Sequence, residues 1–332
     1  MSEEISIRDM KRLVAVLILI IMTGSITDSF AQSKCKVKPS QTLLLYPEGQ
    51  NVDKGLEHAL GPLKSNGHTA DKEVLISKGI LACVGDNARI ELFFPKKPNG
   101  QMVIVCPGGG YWKVATWLEG LYVAEWLLKQ DITVCVLNYR VAEKVHEIPL
   151  RDVQNTLRYC RAHASEWGVN QIGVMGFSAG GHLAACASNL YVDETTRPDF
   201  SILIYPVISF DKKYGKNGTR DKLLGKAEEW EEKKKFDELA EYYSMENHVT
   251  SKTPATFLAC CMDDKSVPVT HSTEYYNCLY AAKVPAELHV YPKGGHGWGF
   301  ATEKYKGKGK DKFAYARDEF ETSLSRWLAG LR

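Results

Sequence analysis

The sequence predicts an α/β fold with a mostly parallel central sheet and helices on both of its faces. The chain has 332 residues, which is enough for one large domain with a substantial core. Its composition of 44% hydrophobic and 25% charged residues is that of a globular protein rather than a disordered or fibrous one. From about Asn87 onward, short β-type segments alternate with longer helical segments, the pattern of strands joined by crossover helices.

Each predicted element is a short apolar run closed by a turn or a longer run with helical spacing. The predicted strands are Arg89–Phe94, Met102–Cys106, Ile132–Asn138, Ile172–Gly176, Phe200–Tyr205, Thr256–Cys261 and Glu287–Tyr291. The predicted helices are Ala115–Lys129, Leu150–Trp167, Ala179–Leu190 and Phe313–Leu328. Residues 32–72 show neither pattern and are predicted to be irregular.

A charged insertion follows the strand at about 200–205. Residues 211–253 lie between two predicted strands and are far longer than the usual connection of about 2 to 6 residues. Long insertions often cover or shape a site, and a surface elaboration without function is the alternative. The lysine-rich segment Lys304–Lys312 is predicted to be a solvated loop.

The first 31 residues have the pattern of a signal peptide. Lys11 and Arg12 precede an apolar run at residues 13–22, and the small residues Ser29 and Ala31 suit cleavage after Ala31. A membrane anchor is the alternative, but the run is shorter than the about 20 residues that a spanning helix needs. We therefore expect an exported protein, periplasmic or secreted, with a mature domain at 32–332 and no stable membrane span after processing.

Charge and cysteine content exclude other classes. The formal net charge of +2 gives no electrostatic reason to expect nucleic acid as a partner. The nine cysteines are an odd number and several lie in apolar runs, so buried free thiols are a better interpretation than a disulfide framework. The sequence does not predict the oligomeric state.

A candidate nucleophile lies in Gly176-Phe177-Ser178-Ala179-Gly180, which matches the pattern G-x-S-x-G. The segment follows a predicted strand and begins a predicted helix, which is the setting of a nucleophile elbow. Such a turn would lift the Ser178 hydroxyl above the carboxyl edge of the sheet. A serine that only caps the helix is the alternative interpretation.

A glycine-rich turn is the candidate oxyanion hole. Cys106-Pro107-Gly108-Gly109-Gly110-Tyr111-Trp112 follows a strand directly, so backbone N–H groups could approach a substrate without obstruction by side chains. Gly109 and Gly110 are the candidate donors, together with the N–H of Ala179. Tyr111 and Trp112 are the candidate substrate-binding residues. A phosphate cradle is disfavoured, because no Lys-Ser/Thr pair follows and the glycine spacing is not G-x-G-x-x-G.

A serine nucleophile needs a base and an acid that orients it. His296 lies in the glycine-rich segment 293–299 after the last predicted strand, whereas His182 is predicted to pack and His248 and His271 to be surface or capping residues. Asp263 and Asp264 follow the strand 256–261, where the acid is expected. The order serine, acid, histidine is that of α/β hydrolases.

With these motifs in place, the chain from about residue 87 to its end resembles the α/β-hydrolase superfamily. It is most similar to the bacterial acetylxylan-esterase-like carboxylesterases related to hormone-sensitive lipase. The segments that carry the resemblance are 107–111, 119–120, 137–140, 173–182, 247–249, 264–268 and 294–297. One difference is Pro107, which stands where the lipase-like relatives have histidine at the start of the oxyanion turn.

The resemblance implies the α/β-hydrolase fold and a Ser178–Asp264–His296 triad, with Glu119, Tyr139 and Arg140 as supports near the site. It implies no cofactor and no metal. The expected activity is removal of acetyl groups from xylan or a similar acetylated carbohydrate through an acyl-serine intermediate. The alternatives are a feruloyl esterase, a peptidase-like hydrolase and a non-catalytic carbohydrate-binding relative.

Overall fold

An eight-stranded central sheet organises the molecule. The structure, a computed structural model, describes residues 37–46, 64–65, 68–69, 73–77, 79–84, 87–141, 145–214, 217–300 and 311–332. The predicted signal peptide at 1–31 lies outside the described residues, as does the predicted lysine-rich loop up to residue 310.

Twelve strands are present in this part of the chain. In order they are β1 (Gln41–Leu44), β2 (Lys64–Ser65), β3 (His68–Thr69), β4 (Val74–Ser77), β5 (Ile80–Cys83), β6 (Arg89–Phe93), β7 (Gln101–Cys106), β8 (Thr133–Asn138), β9 (Gln171–Phe177), β10 (Phe200–Ile204), β11 (Ala255–Cys261) and β12 (Ala286–Tyr291). Strands β2 and β3 form one small antiparallel pair, and β4 and β5 form another.

The order of the central sheet is β1-β6-β8-β7-β9-β10-β11-β12. The six strands from β8 to β12 are parallel, whereas β6 is antiparallel to both of its neighbours. The mostly parallel sheet is therefore confirmed, and every predicted strand is present. The prediction that residues 32–72 are irregular is wrong at β1, β2 and β3. Strand β1 is a short edge strand of mostly exposed residues that is held by its pairing with β6.

Seven α-helices surround the sheet within the described residues. They are α1 (Tyr122–Leu128), α2 (Glu147–His163), α3 (Ala179–Asn189), α4 (Gly218–Leu224), α5 (Lys233–Tyr242), α6 (Thr270–Ala281) and α7 (Arg317–Gly330). The helix predicted at 115–129 instead begins with a π-helical turn at Trp117–Leu121. The sequence pattern missed α6 because its buried side includes the polar residues His271 and Ser272 beside Tyr275 and Leu279.

The sheet is buried on both faces, which is why its strands are continuous apolar runs rather than alternating ones. Successive side chains of β7 point to opposite faces, with Ile104 in one core and Val105 in the other. Helices α2, α3 and α6 cover the first face, and α1 and α7 cover the second. The carboxyl edge of the parallel strands is left for the loops that carry the site.

The insertion between β10 and β11 is packed against the domain. It contains α4 and α5, and its outer surface is charged, as predicted. Leu223, Leu224 and Phe236 are fully buried in the first core. The insertion therefore contributes to the fold and is not a detached elaboration.

The cysteines behave as small apolar residues. All eight in the described part of the chain carry free thiols, and seven of them are buried. Burial raises the pKa of the Cys260 thiol to about 11, so it stays protonated at neutral pH.

Among the described helices, none combines the length and apolarity that crossing a bilayer requires.

Two buried histidines hold the insertion and helix α3 in place. The Nε2–H of His182 donates to Tyr243 O at 2.7 Å, so Nδ1 accepts from the Tyr111 hydroxyl at 2.9 Å. His271 Nδ1 accepts from the N–H groups of Ile208 and Ser209, each at 3.1 Å. His182 thus packs as predicted, whereas the prediction of a surface position for His271 is wrong, because its ring nitrogen satisfies two buried backbone donors.

Both imidazoles are neutral in the folded state, since burial lowers the pKa of His182 and of His271 to about 4. In the unfolded chain a histidine binds its proton near pH 6.5. Between about pH 4 and pH 6.5 the unfolded state binds more protons than the folded state. The contribution of the two neutral imidazoles to the free energy of unfolding is therefore complete above about pH 6.5 and is lost as the pH falls toward 4.

We predict that His271→Asn makes stability less dependent on pH. The Asn oxygen can replace Nδ1 as an acceptor but does not titrate, so the drop in unfolding free energy from pH 8 to pH 5 should shrink by about 2 kcal/mol. Urea denaturation at the two pH values measures this drop. His163→Asn, at a half-buried position on α2, is the control, and an equal drop in both variants would contradict the prediction.

Candidate active site

Ser178 lies in a strained turn between β9 and α3. Its backbone has φ 53° and ψ −118°, a region that costs a non-glycine residue on the order of 1–3 kcal/mol. Gly180 allows the turn to approach β7, because a Cβ there would overlap the carbonyl oxygens of Cys106 and Pro107. The turn leaves the Ser178 side chain half-buried at the carboxyl edge of the sheet, as the nucleophile-elbow prediction requires.

His296 joins Ser178 to Asp264. Its Nε2 lies 2.8 Å from Ser178 Oγ, and its Nδ1 lies 2.7 Å from Asp264 Oδ2. A carboxylate accepts a hydrogen bond, so Nδ1 carries the proton and Nε2 is left to accept the Ser178 hydroxyl. The structure therefore brings the three predicted residues together in the tautomer that a general base needs.

The Asp264 carboxylate is fixed by the loop that follows β11. Its Oδ1 accepts from the N–H groups of Ser266 at 2.8 Å and Val267 at 2.9 Å. These bonds leave Oδ2 directed at His296, and the residue is buried. The neighbouring Asp263 accepts instead from the N–H of Gly295 at 2.7 Å. Asp264 therefore orients the imidazole, whereas Asp263 binds the backbone of the loop that carries it.

The glycine-rich turn lies directly beside the nucleophile. Among the hydrogen bonds of the described residues, none uses the N–H groups of Gly109, Gly110 or Ala179. The N–H of Gly108 is engaged by the Glu119 carboxylate at 2.7 Å, which removes it from the set of free donors. The three predicted oxyanion donors are therefore available to a substrate.

The turn is anchored by side chains below it. The Tyr139 hydroxyl donates to Pro107 O at 2.7 Å. Arg140 pairs with Asp152 at 2.6 Å, and both are buried. Tyr139 and Glu119 therefore contact the turn directly, at Pro107 O and at the Gly108 N–H, whereas the contacts of Arg140 with Asp152 lie outside the turn.

The two predicted substrate-binding residues occupy different environments. Tyr111 has φ 54° and is buried, and its hydroxyl is paired with His182, so it supports the turn and does not face a substrate. Trp112 is 37% exposed and lines a cavity of about 370 Å³. The expectation for Tyr111 is thus not met, because the left-handed backbone turns its ring into the core.

This cavity lies between the oxyanion turn, the insertion and the loop after β11. The insertion contributes residues from the start of α4 and the turn before it, which the sequence could not assign to a site individually. The lining residues are Gly109, Gly110, Trp112, Val207, Tyr214, Asn217, Gly218, Thr219, Lys222, Ser266, Val267, Pro268 and His271. The insertion therefore forms part of the wall of this cavity.

Within the described residues, no group of three or more His, Cys, Asp or Glu side chains is arranged to hold a metal ion.

Residues 90–279 match the model of the BD-FAE family. The chain belongs to this family of α/β hydrolases. Acetylxylan esterase of Xylanibacter ruminicola is 37% identical over 248 residues, which are 74% of this chain and 48% of that protein. Endo-1,4-β-xylanase B of Butyrivibrio fibrisolvens is 31% identical over 221 residues, 61% of this chain and 33% of that protein. The BD-FAE chain thus spans about half or less of the length of these curated relatives.

A solved structure agrees with this assignment. The acetyl ester-xyloside bifunctional hydrolase from Caldicellulosiruptor lactoaceticus is 28% identical, with a TM-score of 0.67, and the match covers 89% of this chain and 98% of that one. The α/β-hydrolase fold and the resemblance to acetylxylan-esterase-like carboxylesterases are therefore confirmed. The BD-FAE chain is related to carboxylic ester hydrolases.

We predict different effects for the two adjacent acids. Asp264→Asn should reduce kcat by about 10⁴-fold with little change in Tm, because an amide favours the wrong tautomer of His296. Asp263→Asn keeps an acceptor for the Gly295 N–H and should reduce kcat by less than about tenfold. Steady-state hydrolysis of p-nitrophenyl acetate measures both, and the reverse ranking would exclude Asp264 as the orienting acid.

Proposed function

We propose that this chain is an exported serine carboxylesterase that removes acetyl groups from xylan or related acetylated carbohydrates. The single observation that carries the proposal is the imidazole of His296, which is hydrogen-bonded to both Ser178 Oγ and Asp264 Oδ2. A serine, a base in the correct tautomer and an orienting carboxylate are the requirements of acyl transfer to serine.

The first half-reaction forms the acyl-serine. Ser178 Oγ attacks the ester carbonyl carbon while His296 Nε2 accepts the hydroxyl proton. The negative charge that develops on the carbonyl oxygen is stabilised by the N–H groups of Gly109, Gly110 and Ala179. As the intermediate collapses, His296 gives the proton to the departing alcohol oxygen, and the C–O bond to the alcohol breaks.

The second half-reaction releases the acid. A water molecule takes the place of the alcohol, and His296 accepts its proton as the oxygen attacks the acyl carbon. Collapse of the second intermediate breaks the bond to Ser178 Oγ, which regains a proton from His296. The products are acetate and the enzyme in its starting state.

The substrate assignment rests on the relatives and on the cavity. Three of the similar proteins carry xylan- or xyloside-related names. The cavity beside the oxyanion turn is bordered by the half-exposed ring of Trp112, and the flat face of an aromatic ring suits contact with a sugar. We assign this cavity to the carbohydrate side of the ester. Export rests on the pattern at residues 1–31, and N-terminal sequencing of the mature protein tests for cleavage after Ala31.

We predict that Ser178→Ala abolishes release of acetate from acetylated xylo-oligosaccharides. Loss of a serine nucleophile reduced kcat on the order of 10⁶-fold in the comparable chemistry of subtilisin. Ser188→Ala, at a buried serine on α3, is the control and should keep its activity. Turnover near that of the wild type by Ser178→Ala would refute the assignment of the nucleophile.

The same assay distinguishes the proposed substrate from the alternatives. The wild type is compared on acetylated xylo-oligosaccharides, feruloyl esters and aminoacyl substrates at equal concentration. A higher kcat/KM for a feruloyl or aminoacyl substrate than for the acetylated sugar would replace the proposed specificity, and binding of the sugar without any turnover would favour a carbohydrate-binding protein.

We predict that Trp112→Ala affects the sugar substrate selectively. Because Trp112 lines the cavity and Ser178 does not, the variant should raise KM for acetylated xylo-oligosaccharides several-fold and leave hydrolysis of p-nitrophenyl acetate unchanged. Removal of an aromatic contact of this size costs roughly 1 kcal/mol. Tyr280→Ala, an exposed aromatic residue on α6, is the control, and equal effects on both esters would remove Trp112 from the carbohydrate side.

A further inference from the structure

The carboxylate of Glu119 is buried between the two loops that carry the proposed catalytic groups. Glu119 lies in the π-helical turn before α1 and is 7% exposed. Its Oε2 accepts from the Gly108 N–H at 2.7 Å, and its Oε1 accepts from the Tyr205 hydroxyl at 2.8 Å. One side chain therefore contacts the oxyanion turn and the end of β10 at the same time.

Tyr205 extends this connection to the histidine loop. Its hydroxyl oxygen accepts from the N–H of Gly299 at 3.1 Å, three residues beyond His296. Its ring centroid lies 4.8 Å from that of the His296 imidazole. The backbone of Tyr205 has φ 38°, a conformation that a bulky residue adopts only where its surroundings enforce it.

The oxyanion turn lies close to both Glu119 and the nucleophile elbow at Gly108. A Cβ added to Gly108 would lie 2.7 Å from Glu119 Oε2, 2.6 Å from Phe177 O and 3.1 Å from the Cβ of Ser178. The turn is therefore in contact with the carboxylate on one side and with the nucleophile elbow on the other. A shift of the carboxylate would shift the donors next to it.

The electrostatics of the carboxylate fit this role. Burial is the largest influence and leaves the pKa of Glu119 above its usual value, although the hydrogen bonds from Tyr205 and Gly108 act in the opposite direction. A carboxylate can accept from both donors at once, but an amide offers only one acceptor and would face one donor with its own N–H. The two contacts thus require the carboxylate.

We propose that Glu119 is a positioning residue that holds the oxyanion turn and the histidine loop in register through Gly108 and Tyr205. The inference rests on the proposed function. Acyl transfer depends on donors and base being placed within a fraction of an ångström. Loss of the carboxylate is therefore expected to lower the rate of the chemical step and to leave binding of a small ester largely intact.

The test compares Glu119→Gln and Tyr205→Phe with two matched controls. Glu91→Gln changes another buried glutamate, on β6, whose pKa is also raised by burial. Tyr275→Phe removes another buried hydroxyl, which accepts from Asn189 at 2.7 Å. Each variant is assayed for kcat and KM on p-nitrophenyl acetate, for the rate of phosphonylation of Ser178 by a fluorophosphonate, and for urea unfolding.

We expect Glu119→Gln to lose roughly 10- to 100-fold in kcat, less than removal of an oxyanion donor itself, with KM within about threefold of wild type. Tyr205→Phe keeps the hydrogen bond between Glu119 and Gly108, so its kcat should fall less than that of Glu119→Gln. The double variant should be little worse than Glu119→Gln, because both changes break one chain of contacts. Phosphonylation should slow in parallel, and the controls should keep kcat even where they lose stability.

Two results would overturn the proposal: a kcat of Glu119→Gln within about threefold of wild type, or an equal loss of kcat in Glu91→Gln at equal loss of stability. If Glu119→Gln does not fold, the kcat of Tyr205→Phe is compared with the kcat of Tyr275→Phe. Equal values would then overturn the proposal. If the wild type hydrolyses no ester, the proposed function is refuted. The positioning role is then tested separately by comparing the phosphonylation rates of the wild type and Glu119→Gln. A wild type that is not labelled at Ser178 refutes both.

Discussion

The close contact between two turns at the carboxyl edge of the sheet is the constraint on which the site depends. Strands β7 and β9 are neighbours, so the glycine-rich turn after β7 meets the elbow after β9. Gly180 lies against the carbonyl oxygens of the first turn, and Gly108 lies against Phe177 O and the Ser178 side chain. Neither contact tolerates a Cβ, and together they set the distance between the nucleophile and the free N–H groups beside it.

The rest of the triad follows from the order of the strands beyond this contact. Strands β10, β11 and β12 continue the sheet in parallel, so the loops after β11 and β12 emerge at the same edge as Ser178. Asp264 then comes from one loop and His296 from the next. Although 118 residues separate Ser178 from His296 in the sequence, the sheet brings them into hydrogen-bond contact without any unusual loop length.

Polar contacts in the interior join these loops to one another and to the core. Glu119 links the oxyanion turn to Tyr205, and Tyr139 fixes Pro107. His182 bonds to a backbone carbonyl of the insertion, and His271 bonds to two N–H groups directly before the insertion. Buried polar groups of this kind are costly unless all partners are satisfied. Their pairing gives each loop one position and lets the insertion form one wall of the cavity beside Trp112.

The sequence by itself determined the parallel sheet, the elbow at Ser178, the glycine-rich turn and the order serine, acid, histidine. These features depend on neighbouring residues: continuous apolar runs give buried strands, and glycines next to a strand end give turns that approach the sheet closely. Through the resemblance, the sequence also selected Asp264 over Asp263 as the acid. Only the tertiary structure decided that Asp263 holds Gly295, that Tyr111 is buried, and that Tyr205 connects Glu119 to Gly299. Glu119 and Tyr205 are 86 residues apart, and β1 forms only by pairing with β6, so these contacts are set by which strands are adjacent and by the packing between them.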